Sequence, residues 1–142
     1  MKVSEIMTRS IVSVNSDDSV ERAAEVMKEH NIGAVPVCDG NKIIGIITDR
    51  DIALRSVAAG ENSKNQIVRD VMSSNPVTGR PEMNVLDASR IMSERQIRRL
   101  PVVDNDNLVG IVSLGDIAVR PALEEEAESA LSSISEPSTP EV

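Results

Sequence analysis

The 142-residue sequence contains no phenylalanine, tryptophan or tyrosine, although 40% of its residues are hydrophobic. Its core is therefore expected to consist of the aliphatic residues Val, Ile, Leu, Ala and Met. The absence of aromatic residues also removes the rings on which proteins stack single-stranded bases. The composition therefore argues against a nucleic-acid partner.

Cysteine and histidine are almost as scarce, with one residue of each, Cys38 and His30. This count excludes a disulfide framework and a structural zinc site built from Cys and His ligands. No apolar run approaches the roughly 20 residues that span a bilayer, and the N-terminus does not resemble a signal peptide. We therefore expect a cytoplasmic protein that requires no cofactor and has no membrane partner.

Basic residues are outnumbered, since 15 Lys and Arg stand against 23 Asp and Glu, giving a net charge of −8. This balance disfavours a broad basic surface for nucleic acid or an anionic membrane. Six glutamates and no basic residue lie after Arg120, so residues 1–120 carry only −2. We expect residues 122–142 to form an acidic Ser/Pro/Glu-rich tail, with a short helix over 122–131 and disorder from about 132.

The main feature of the sequence is an internal repeat. Residues 7–53 align without a gap onto residues 72–118, at a constant offset of 65 residues. The identities include Met7/Met72, Val20/Val85, Ala23/Ala88, Met27/Met92, Pro36/Pro101, Gly45/Gly110 and Asp51/Asp116. The sequence therefore predicts a first repeat over 1–60, a linker over 61–66, a second repeat over 67–121 and the tail over 122–142.

Each repeat predicts the order strand, helix, strand, strand, helix. In the first repeat, residues 11–14 predict a strand, residues 20–30 an amphipathic helix, residues 34–47 a hairpin, and residues 49–59 a second helix that ends at Gly60. A unit of about 60 residues buries too little surface to be stable alone, so the two copies are expected to share a core. We predict an α/β (α+β) fold of two β-α-β-β-α units with pseudo-two-fold symmetry, small sheets flanked by helices, and two clefts for ligands.

Both repeats carry the motif Gly-x-x-(Thr/Ser)-x-x-Asp between a strand and a helix, over residues 45–51 and 110–116. One interpretation is a capping box, in which the Thr or Ser and the acid three residues later satisfy the first helical N–H groups. The other is nucleotide binding, because a helix N-terminus attracts phosphate and a carboxylate accepts ribose hydroxyls. The spacing alone fits both interpretations.

A proline follows the start of each predicted hairpin strand, at Pro36 and Pro101. Proline cannot donate to a β-ladder, so the backbone there is free to bind something else. The residues Gly33 and Ala34 of the first repeat are replaced by two arginines, Arg98 and Arg99, in the second. Adjacent arginines suit a phosphate, although two solvated surface side chains are an equally good interpretation.

Together with the openings Ile6-Met7-Thr8 and Val71-Met72-Ser73, these motifs resemble the CBS domain, named after cystathionine beta-synthase. From Val3 to Ala118 the chain resembles a stand-alone tandem pair, or Bateman module. The resemblance implies an adenosine-containing ligand, a role in regulating a partner protein, and a homodimer formed through helices.

The resemblance also implies a role for individual residues. It places Asp51 and Asp116 on ribose hydroxyls, and Thr48 and Ser113 on ribose or phosphate. The remaining positions are phosphate ligands at Arg98, Arg99 and Arg50, and adenine contacts at Gly33, Ala34, Val35, Ile46, Leu100 and Ile111. Because the first repeat lacks the paired arginines, the two clefts are expected to be unequal.

The sequence therefore predicts a regulatory sensor of AMP, ADP or ATP that acts through a partner protein or through its own dimer. The alternatives are a structural protein-interaction module without a physiological nucleotide, and a binder of S-adenosylmethionine or NAD. An enzyme is not expected, because the sequence contains no P-loop, nucleophile elbow, zinc motif or Ser/His/Asp set.

Overall fold

The structure is a computed structural model that describes residues 1–137, so the prediction for 138–142 lies outside the described residues. The chain divides into two compact units. Residues 11–77 and 105–108 form one unit, which we call the first-repeat unit. Residues 1–10, 78–104 and 109–137 form the other, which we call the second-repeat unit. Both units combine short strands with helices, which confirms the predicted mixed fold class.

The first-repeat unit follows the predicted order of elements. They are β1 (Val14–Asn15), α1 (Val20–His30), β2 (Ala34–Asp39), β3 (Lys42–Thr48), α2 (Asp49–Ile52), a π-helical turn (Ala53–Val57) and β4 (Ser73–Ser74). The predicted helix over 49–59 is thus α-helical only in its first turn. Gly60, with φ of 73°, lies just beyond it in the left-handed region that glycine adopts most readily.

Helix α1 has the predicted bounds because its N-cap, its apolar face and its C-terminal residue are all set by the local sequence. The Ser19 hydroxyl accepts a hydrogen bond from the Arg22 N–H at 3.0 Å and caps the first turn. Val20 and Ala23 lie on a buried face, and Asn31 ends the helix in the left-handed conformation.

The sheet of this unit is built around the antiparallel pair β2 and β3, in which Ala34 lies opposite Thr48. Strand β1 adds to β2 in parallel, and β4 adds to β3 in antiparallel fashion. The strand predicted over 11–14 is shorter and later than expected, because only Val14 and Asn15 align with β2.

The second repeat contains equivalents of α1, β2, β3 and α2, followed by one further helix. They are α3 (Val85–Arg95), β5 (Arg99–Asp104), β6 (Asn107–Ser113), α4 (Leu114–Ala118) and α5 (Glu124–Ser135). Strands β5 and β6 are hydrogen-bonded neighbours. The turn that joins them has positive φ at both central residues, Asn105 and Asp106, as a tight two-residue hairpin requires.

The opening segment of each repeat belongs to the unit formed mainly by the other repeat. Val3 is fully buried in the second-repeat unit, and Thr8 exchanges two backbone hydrogen bonds with Ile111, at 2.8 and 2.9 Å. In the first-repeat unit, the Val68 N–H donates to the Asp18 carbonyl at 2.8 Å. The units therefore exchange segments, which the repeat boundaries in the sequence do not indicate.

The acidic helix α5 continues to Ser135, four residues beyond the predicted end at Leu131. Ala127 and Ala130 are buried, and the helix packs against α3 and α4. The Gln96 side-chain amide donates to the carbonyls of Ser133 and Glu136, at 3.1 and 3.0 Å. Helix α5 is longer than expected because its small apolar face is covered and its last turn is anchored.

Candidate functional site

The candidate residues of the first repeat come together where β2, β3 and α2 meet. Ala34 lies opposite Thr48, and Ile46 lies between Pro36 and Ser73 on its two sides. The Asp49 N–H donates to the Gly33 carbonyl at 2.9 Å and joins the first turn of α2 to the start of β2.

The capping box that the motif predicts is present in both repeats. The Thr48 hydroxyl accepts from the Asp51 N–H at 3.0 Å, and the Asp51 carboxylate accepts from the Thr48 N–H at 3.0 Å. Ser113 and Asp116 make the same pair of bonds, at 3.1 and 2.8 Å. Each bond to a carboxylate uses its Oδ2 atom, and an ionised carboxylate has a second acceptor oxygen. Capping and ribose binding are therefore compatible at both acids.

Arg55 is a site residue that reasoning from the sequence missed. Its guanidinium donates to the carbonyls of Val71 and Met72, at 2.9 and 3.2 Å, and lies 3.9 Å from the outer oxygen of Asp51. Arg55 thus approaches Oδ1 of Asp51, while Oδ2 accepts from the Thr48 N–H. A signal was present, because the 65-residue offset also pairs Arg55 with Arg120.

The glycine of each motif is explained by the opening segment that covers it. An ideal Cβ on Gly45 would lie 2.5 Å from the Met72 sulfur and 2.8 Å from the Ser73 carbonyl oxygen. An ideal Cβ on Gly110 would lie 2.6 Å from the Met7 sulfur. The repeated methionines therefore pack directly on the repeated glycines, and this contact places the two opening motifs beside the candidate sites.

The candidate residues of the second repeat are also brought together, within one unit. The Arg98 carbonyl accepts from the Leu114 N–H at 2.8 Å, which joins the two arginines to the start of α4 and thus to Asp116. Both arginine side chains are exposed. Leu100 on β5 is fully buried, as is Val35 on β2, so neither side chain offers surface to a bound base, whereas Ile111 on β6 is half-buried. The site thus combines a cationic end, a carboxylate and one half-buried aliphatic side chain.

Arg50, the third predicted phosphate ligand, lies in the first turn of α2 with an exposed side chain. Cys38 is 6% exposed, and burial raises the pKa of its thiol, so it is a buried apolar residue rather than a nucleophile.

Within residues 1–137, no group of three or more Asp, Glu, His or Cys side chains is arranged to bind a metal ion. In the same part of the chain, no helix combines the length and apolar character that a membrane span needs.

These features define a tandem module of two small α+β repeats, each with a capped strand-to-helix junction. The chain belongs to the CBS domain family, whose family model matches residues 3–57 and 68–121. The resemblance noted from the sequence is therefore confirmed.

Relatives support the assignment over nearly the whole chain. The chain is 47% identical over 133 residues to the CBS domain-containing protein YhcV of Bacillus subtilis (strain 168), covering 94% of each. It is also similar to the CBS domain pair of protein MJ0100, solved in complex with 5′-methylthioadenosine and S-adenosyl-L-methionine. The TM-score is 0.72 at 31% identity, covering 83% of this chain and 93% of that one.

A third similar protein is the hexameric CBS-CP12 protein from bloom-forming cyanobacteria. Here the TM-score is 0.71 at 30% identity, covering 88% of this chain and 73% of that one. All three are CBS domain proteins, and they include one small-molecule complex and one hexamer.

Proposed function

We propose that the chain is a regulatory module that binds AMP, ADP or ATP at the second-repeat site. The observation that carries this proposal is the junction of Arg98 and Arg99 with the Ser113–Asp116 motif, through the 2.8 Å bond from the Leu114 N–H to the Arg98 carbonyl. A nucleotide needs a cation for its phosphate and an acceptor for its ribose, and this junction provides both.

The base would lie against the half-buried side chain of Ile111 and the backbone of Leu100. Burial of apolar area contributes about 25 cal/mol per Å², which gives affinity without identifying the base. Backbone N–H and C=O groups are then left to read the polar edge of adenine, because the chain has no aromatic side chain to stack on it. A base with a different edge would leave those groups unpaired, which costs about 1–3 kcal/mol for each group.

The ribose and phosphate would be held by ionised groups. The Asp116 carboxylate accepts both hydroxyls of the ribose, while its Oδ2 atom continues to cap α4 through the Ser113 N–H at 2.8 Å. Arg98 and Arg99 bind the phosphate, and Ser113 contacts the ribose or the phosphate. The adenosine-containing ligands of the similar MJ0100 pair support the choice of ligand class.

Isothermal titration calorimetry with AMP, ATP, S-adenosylmethionine and NAD tests the proposal. AMP or ATP is expected to bind with a Kd in the micromolar range, about −8 kcal/mol, and more tightly than the other two ligands. A chain with Arg98→Ala and Arg99→Ala is expected to lose most of this affinity and keep its fold. Failure of all four ligands to bind at millimolar concentration would leave the alternative of a structural interaction module.

The output of the module is proposed to pass through a homodimer and through a regulated partner protein. Each unit exposes apolar side chains around the end of its final repeat helix, namely Leu54 (53% exposed), Val57 (72%) and Val119 (76%). Leu54 and Val119 are equivalent under the 65-residue offset, so both repeats present the same kind of surface. Large exposed apolar side chains at matching places are typical of an interaction surface.

We expect Leu54→Lys with Val119→Lys to raise the dimer dissociation constant by about 100-fold, because a lysine would be buried without a partner. Size-exclusion chromatography with light scattering measures this change. Leu86→Lys is the matched control, since Leu86 is also exposed but lies on α3. A wild-type monomer at high micromolar concentration, or an equal effect of Leu86→Lys, would contradict the proposed surface.

A further inference from the structure

The two candidate sites differ at the end where a 5′ substituent would lie. In the second repeat this end carries Arg98 and Arg99, and the offset of 65 residues maps these arginines onto Gly33 and Ala34. The corresponding space in the first-repeat unit is therefore above Gly33.

That space is occupied by a carboxylate of the chain itself. A Cβ on Gly33 would lie 2.9 Å from the Asp49 Oδ2 atom, so the acid lies directly over the glycine. The other oxygen of Asp49 accepts from the Arg50 N–H at 2.8 Å, and the Asp49 N–H donates to the Gly33 carbonyl at 2.9 Å. One hydrogen bond thus holds the Asp49 carboxylate, and the other holds its backbone against Gly33. The equivalent residue in the second repeat is Leu114, which has no charge.

The charges at the two ends differ accordingly. The formal charges of Asp49 and the neighbouring Arg50 sum to zero. The second-repeat end carries two positive charges from Arg98 and Arg99. Phosphate brings up to two negative charges, so the second end attracts it, whereas at the first end it meets a fixed carboxylate.

We propose that the first-repeat site takes adenosine derivatives whose 5′ substituent carries no negative charge, while the second-repeat site takes the 5′-phosphates. This inference rests on the proposed function, because it assumes that each site holds an adenosine. Asp51, capped by Thr48 and flanked by Arg55, serves the ribose, and Asp49 sets the specificity at the 5′ end. One chain would then bind two classes of adenosine metabolite, one at each site.

The test measures each site separately by isothermal titration calorimetry with AMP and with 5′-methylthioadenosine. Asp116→Ala silences the second-repeat site, and Asp51→Ala silences the first. The Asp116→Ala chain is expected to bind 5′-methylthioadenosine at least tenfold more tightly than AMP. The Asp51→Ala chain is expected to show the opposite preference. Asp116→Asn retains an acceptor for the Ser113 N–H, and combined with Arg98→Ala and Arg99→Ala it repeats the measurement if the alanine variant unfolds at a lower urea concentration.

A second substitution assigns the preference to Asp49. Adding Asp49→Asn to the Asp116→Ala chain is expected to strengthen AMP binding about tenfold and leave 5′-methylthioadenosine unchanged, since a charge is removed and the acceptor for the Arg50 N–H is kept. Asp39→Asn, an exposed acid at the end of β2, is the matched control and is expected to change neither ligand.

The outcomes separate this inference from the proposed function. Equal binding of the two ligands to the Asp116→Ala chain, binding of neither, or an equal effect of Asp39→Asn would overturn the inference alone. Failure of the Asp51→Ala chain to bind AMP would instead overturn the proposed function of the second-repeat site.

Discussion

Replacing Asp116 with alanine is expected to weaken AMP binding about 100-fold. The carboxylate is proposed to accept both ribose hydroxyls, and a hydrogen bond to a charged group contributes about 1.5–3 kcal/mol. Loss of one to two such bonds corresponds to a factor of about 100, since each 1.4 kcal/mol is tenfold. Isothermal titration calorimetry at fixed ionic strength measures the change.

The same substitution removes half of the capping box of α4, so stability has to be measured beside affinity. Asp116→Asn keeps an oxygen that accepts the hydrogen bond that the Ser113 N–H donates to Asp116 at 2.8 Å. We expect the asparagine variant to unfold at nearly the wild-type urea concentration and still to lose about tenfold in affinity, because only the charge is gone. If the affinity loss follows stability across the two variants, Asp116 is a cap and not a ribose ligand.

Gly45→Ala is expected to destabilise the fold by about 2–3 kcal/mol, the usual cost of forcing an extra methyl group into a packed site. The added Cβ would lie 2.8 Å from the Ser73 carbonyl oxygen, and a backbone atom of β4 cannot move aside without breaking its pairing with β3. The Met72 side chain, 2.5 Å away, would have to move as well. Urea unfolding followed by circular dichroism gives the free energy of unfolding.

Two other glycines make this prediction specific. At Gly110 the carbonyl of Thr8 is farther away, at 3.1 Å, so Gly110→Ala is expected to cost less than Gly45→Ala. Gly115 lies in α4 with only an ordinary contact at 3.6 Å, and Gly115→Ala is expected to stabilise by up to about 1 kcal/mol. An order of stability other than Gly115→Ala, Gly110→Ala, Gly45→Ala would contradict the packing described at the two motifs.

The elements that could be predicted from the sequence are those whose signals are local. The cap of helix α1 at Ser19, its buried face and its end all lie within about a dozen residues. Its observed bounds, Val20–His30, are the predicted ones. The two capping boxes likewise depend only on residues three apart. The family and the mixed fold class followed from the repeat, because two copies in one register are a strong pattern.

The remaining features depend on residues far apart in the chain. Arg55 bonds to carbonyls 16 and 17 residues away, and no local pattern indicates which carbonyls a surface arginine will reach. The position of Asp49 over Gly33 follows from the junction of β2 with α2 rather than from the spacing. Helix α5 exceeded its predicted length because its stability comes from α3 and α4 and from Gln96, not from its own acidic sequence.

The exchange of opening segments has a topological consequence for how such a chain can be divided. The methionine that covers Gly45 is Met72, and the one that covers Gly110 is Met7, so each repeat supplies the cover of the other. In a single repeat expressed alone, the strand that carries the glycine would be uncovered, and the methionine of its opening segment would have no glycine to pack against. Two such half-chains would complete each other only by reciprocal donation. The tandem chain is thus the covalently linked form of a domain-swapped pair. Its linker makes intramolecular an exchange of segments that two separate half-chains could make only by associating.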